Sequence, residues 1–139
     1  MRPGNLVHVD EIEQTTNSPN VPIAVRLLPL AAWMGLIFFL SSRSHLPQPL
    51  GPDLTAVAGH VAVYALLAAL LWWGLAIRRF TPGWRLGLSF AIAVAYGLSD
   101  EWHQSFVPGR MASVIDLVTD GCGALLGLAG VTLWTLARR

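Results

Sequence analysis

The sequence contains no lysine, so its nine cations are all arginine. Its one cysteine, Cys122, excludes an internal disulfide and reads as a small apolar residue in a buried helix. Charge of either sign is scarce. Charged residues make up 12% of the chain, about half the fraction usual in a soluble domain. A formal net charge of +1 is too small to direct the chain to nucleic acid. No long soluble stretch and no internal repeat is present. Residues 1 to 22 carry Asp10, Glu11, Glu13 and three prolines but no apolar run, so they do not read as a signal peptide. They read as a flexible, solvated tail ahead of one domain, residues 23–139.

Apolar sequence is abundant. Hydrophobic residues make up 54% of the 139, with a mean hydropathy of +0.55. Four segments follow one another: residues 21–40, 54–77, 86 onward, and 111–137. The first, second and fourth reach about the 20 residues that span a bilayer. The third is short unless its helix continues through Asp100 to Phe106, which we expect, with Pro108-Gly109 as its stop. The expected fold is therefore all-α: an integral membrane four-helix bundle with short connections. Arg2, Arg26, Arg78, Arg79, Arg85, Arg138 and Arg139 fall on one side of such a bundle, and only Arg43 and Arg110 on the other. The positive-inside rule then puts both termini in the cytoplasm.

The ionisable residues are concentrated near one end. Asp100, Glu101, His103, Gln104 and Arg110 lie within eleven residues, and Asp116 follows. Asp100, His103 and Gln104 face one way on a helix, while Glu101 is rotated by about 100° and joins them only if the bundle surrounds it. Tyr96 lies one turn below Asp100. His60 and Tyr64, four apart, share a face of the second helix, and the alternating topology brings His60 to the same end. Asp116, Asp120, Gly123 and Gly127 are spaced four, three and four, so they share a face looking into the bundle. With Gly130 they give a small-residue surface that a second helix can approach.

Two chemistries fit these residue types. A histidine with a carboxylate is equipment for acid–base work near neutral pH. Two histidines with Asp or Glu also suit a divalent metal, but neither H-x-x-x-H nor H-E-x-x-H occurs, and no cofactor is assigned. Ser41, Ser42 and Ser44 could supply a nucleophile, but serines at helix ends are ordinary caps. Interfacial capping and solvation explain any one of the polar residues, but less readily the whole set, because charge at membrane depth is costly.

The run Asp100-Glu101-x-His103-Gln104-x-Phe106-x-Pro108-Gly109-Arg110, continued by Asp116, Asp120, Gly123 and Gly127, resembles the VanZ-like family. The resemblance extends to FFLSSRSHLP at the exit of the first helix and to His60-x3-Tyr64, covering residues 27 to 136. Two positions depart from the family pattern: Val57 stands where a lysine is frequent, and Asp120 where asparagine is. The resemblance implies a small multi-pass protein of the bacterial cytoplasmic membrane. It also implies a link to the cell envelope, since the eponymous member is associated with low-level resistance to the glycopeptide teicoplanin.

The resemblance carries over fold, location and site but no reaction; as an intramembrane enzyme, the expected catalytic set is His103 as acid/base, oriented by Asp100 or Asp116, with Glu101 and His60 completing the site. Arg110, Gln104 and Tyr64 are expected to bind substrate, an anionic lipid or lipid-linked envelope precursor. His60, His103, Asp100 and Asp116 should then converge across three helices. The alternatives are a non-catalytic binder of lipid, ligand or partner protein, and a structural bundle whose polar set fixes helix register.

Overall fold

In the computed structural model, the described residues are 22–44, 47, 49, 51–76 and 80–138, without the side chains of 52 and 53. The proposed tail up to residue 21, His45 and the arginines at 78, 79 and 139 lie outside them. Among the described residues there are four α-helices and no strands. They are α1 (Ile23–Ser41), α2 (Pro52–Gly74), α3 (Pro82–Gln104) and α4 (Val114–Ala137).

The helix ends follow local chemistry. Pro52 and Pro82 sit in the first turns of α2 and α3, where a missing N–H costs nothing. Thr81 caps α3 by accepting from the Trp84 N–H. Ser113 caps α4, accepting from Ile115 and Asp116, so this helix begins later than residue 111. The third helix stops at Gln104 rather than Phe106. A turn then spans Val107–Arg110, closed by Arg110 N–H to Val107 O at 3.1 Å, with Pro108 second and Gly109 third at φ 81°. Proline second and a positive-φ glycine third are the requirements of a type II turn. They fix the point from which Arg110 departs.

α2 and α4 form the closest pair. A Cβ on Gly123 would lie 2.4 Å from Val61 O, and one on Gly127 2.1 Å from Ala65 O. Both numbers rise together along the two chains, so the helices are parallel, and their backbones touch where side chains are absent. Gly130, expected on the same surface, opens to nothing within 4 Å. α3 packs against both α2 and α4, while α1 packs on α2 and α3 and makes no such contact with α4. The centre is small, comprising Ile37, Tyr64, Leu67, Ala68, Leu71, Ala93, Ala124 and Leu128.

The outside is apolar. Leu28, Val114 and Leu133 are each at least two-thirds exposed, and Cys122 is exposed rather than buried. A folded chain leaves so much apolar surface uncovered only where the surroundings are also apolar. Three helices, α1, α2 and α4, are long and apolar enough to cross a membrane. α3 is as long as α2, but its last turns carry the polar cluster. Aromatic residues mark both ends, Trp73, Trp84 and Trp134 at one and Trp102 and Phe106 at the other, all exposed. Near the first of these ends, Arg85 donates to Trp72 O in the last turn of α2, and Arg26 to Ala76 O just beyond it. There the helix dipole favours a cation.

Candidate functional site

The polar residues occupy the end where α1 and α3 finish and α2 and α4 begin. They form two clusters, and the neighbours Asp100 and Glu101 divide between them. Adjacent positions on a helix point about 100° apart. With α1 on one side of α3 and α4 on the other, each carboxylate meets a different partner.

The first cluster joins α3 to α1. Ser41 Oγ lies 2.6 Å from both oxygens of Asp100 and donates its one proton between them. Gln104 Nε2 donates to Asp100 at 3.0 Å and to Ser41 at 3.3 Å. One turn along, Ser42 Oγ meets His103 Nε2 at 3.0 Å, and the His103 ring stacks on Phe38 at 4.4 Å. Asp100, His103 and Gln104 thus share one face, all directed at α1. Below them, Tyr96 Oη donates to Met34 O at 2.7 Å.

The second cluster lies among α2, α3 and α4. His60 Nδ1 and Asp120 Oδ1 share a hydrogen bond of 2.7 Å. With Asp120 ionised, the proton sits on Nδ1 and the other ring nitrogen faces Asp116, 4.0 Å away. Glu101 accepts the Ser113 N–H at 2.7 Å. A carboxylate of α3 therefore sits at the N-terminus of α4, where the dipole favours negative charge. Gln104 Nε2 reaches Glu101 at 3.5 Å and links the clusters. Asp100, Glu101, Gln104 and Asp120 are all buried. Tyr64 is 1% exposed, and its hydroxyl has no hydrogen-bond partner among the described residues.

Between the clusters a cavity of about 210 Å³ enters from this end. Ser41, His60, Asp100, Gln104 and Arg110 are its polar lining residues, and Ile37, Leu40, Ala56 and Val63 are among the apolar ones. Arg110 is half-buried and makes no ion pair with any described residue, and its Nε has no partner. His60, Asp100, Gln104 and Arg110 are therefore brought to one cavity. Glu101 and Asp116 stand behind His60. His103 is not among the lining residues and ties α3 to α1 instead. Two participants fall outside the expected set. Asp120 carried a signal, four residues after Asp116 on the inward face. Ser41 carried none beyond that of any helix-end serine.

A family model described as VanZ/LLP1 matches residues 5–135, nearly the whole chain. No curated protein and no solved structure matches.

Proposed function

Because the chain belongs to the VanZ/LLP1 family, with helices of membrane-spanning character, we propose that its cavity binds an anionic lipid or lipid-linked envelope precursor. The binding end faces the extracytoplasmic leaflet of the bacterial membrane, and α3 crosses with the other three helices. The observation that carries this reading is Arg110. It lines the cavity with no carboxylate paired to it among the described residues, although Asp100, Glu101, Asp116 and Asp120 lie at the same end. A cation at membrane depth is retained where it serves something negative. The planar fork suits phosphate, and the apolar lining residues suit the first carbons of a lipid chain. About 210 Å³ holds a headgroup, not a whole lipid, so the remainder of the ligand lies along the open side.

Asp100 and His60 are the acid–base groups that such a ligand would meet in the cavity lining. His103, in this reading, positions the wall through Ser42. In this reading the protein serves the cell envelope, and teicoplanin tolerance is the phenotype to which it contributes.

The test uses purified protein in neutral-lipid nanodiscs, with phosphatidylglycerol binding followed by native mass spectrometry. Arg110→Lys keeps the charge and loses the fork, so affinity should fall while some binding remains. Arg110→Ala should abolish it in a folded chain. Equal phosphatidylglycerol binding by Arg110→Ala and the wild type would refute the proposal.

A further inference from the structure

The second cluster has properties that lipid binding does not use. His60, Glu101 and Asp120 each offer a ligand atom, and these atoms all lie within 4.8 Å of one another. Glu101 is 6% exposed and Asp120 1%. Asp116 adjoins from the other side of the ring, at 4.0 Å. Buried carboxylates need a proton, a cation or a full set of donors to be tolerated. Here the donors run short. Asp120 Oδ2 is buried with no hydrogen-bond partner among the described residues. It is directed at Gly97 of α3, where a Cβ would lie 3.0 Å from it, one helical turn before Glu101. Among the described residues, no arginine forms an ion pair with these carboxylates.

We propose that His60, Glu101 and Asp120 form a divalent-cation site at the junction of α2, α3 and α4. One imidazole with two carboxylates selects a first-row ion such as Zn²⁺ or Mn²⁺ over Mg²⁺ or Ca²⁺, which take oxygen ligands. Zinc–ligand bonds of about 2.0–2.2 Å place two ligands of one ion no more than about 4.4 Å apart. Small side-chain rotations close the present spacing. The ion takes the place of the proton between His60 and Asp120, and the neutral ring keeps its one proton on Nε2, the nitrogen that faces Asp116. The ion also neutralises the buried negative charge and uses the free oxygen of Asp120. Because His60 also lines the cavity, the ion sits beside whatever occupies it. The proposal does not depend on that occupant.

The experiment uses the full chain in nanodiscs, stripped with a chelator, then dialysed separately against Zn²⁺, Mn²⁺ and Mg²⁺. Bound metal is counted by mass spectrometry, and the thermal midpoint is recorded with and without ion. The expected result is one Zn²⁺ or Mn²⁺ per chain and a raised midpoint, with no response to Mg²⁺. Asp120→Asn and Glu101→Gln should each weaken binding at least tenfold and remove the midpoint shift. If Asp120→Asn does not accumulate, Glu101→Gln carries the test, since its amide oxygen still accepts from Ser113. Wild type that retains no Zn²⁺ or Mn²⁺, or that retains no more than His60→Gln and Glu101→Gln do, overturns the site.

Discussion

The parallel contact of α2 and α4 makes a sharp demand on two glycines. A methyl group at Gly123 would stand 2.4 Å from Val61 O and 2.8 Å from its Cα, and at Gly127 2.1 Å from Ala65 O. These are backbone atoms, so no rotamer change relieves the overlap. Relief requires moving the helices apart by about 1 Å, enough to forfeit a quarter to a half of each dispersion contact along the seam. Overpacking of this kind costs about 1–3 kcal/mol per site, and Ala's better helix propensity returns at most about 1 kcal/mol. Gly121 and Gly130 lie in the same helix with nothing within 4 Å of an added Cβ. Alanine there should be neutral or mildly stabilising. The assay is the thermal midpoint of detergent-purified protein, with membrane yield as a second readout. Gly123→Ala and Gly127→Ala should lower both, and Gly121→Ala and Gly130→Ala should lower neither. If all four behave alike, the backbone contact is not what holds α2 to α4, and the reasoning fails. A further consequence concerns the site, because the same seam sets His60 against Asp120. Gly123→Ala should therefore also weaken metal retention.

Ser41→Ala removes the hydroxyl shared by both oxygens of Asp100, leaving Gln104 as the principal donor to a buried carboxylate. Loss of a hydrogen bond to a charged group should cost about 1.5–3 kcal/mol, read as a lower midpoint, and Ser41→Thr should restore most of it. Tyr96→Phe severs the bond to Met34 O and should cost only about 1 kcal/mol, since that carbonyl belongs to a helix. For orientation, cysteines placed at Val107 and Pro82 in a Cys122→Ser background should differ in intact cells. An impermeant maleimide should label 107 and spare 82, and the reverse pattern would invert the topology.

The sequence by itself determined that the chain forms apolar helices in a bundle. Hydrophobic run length, the breaks at Pro108-Gly109 and the helix-start residues are local properties, and the helices obey them. Periodicity likewise put Asp100, His103 and Gln104 on one face and Asp116, Asp120, Gly123 and Gly127 on another. Both faces meet protein. The tertiary structure decided which helix each face meets. Helices that alternate in direction can close around one another in several orders, and periodicity does not choose among them. Only the glycine contacts reveal that α2 pairs most closely with α4. That choice sends His60 to Asp120 rather than to His103, and it separates Asp100 from Glu101 by placing α1 and α4 on opposite sides of α3. Arg110 lines a cavity and forms no ion pair with a carboxylate among the described residues. Pairing energies between charges depend on a few ångströms of approach, which helix packing sets and sequence spacing does not.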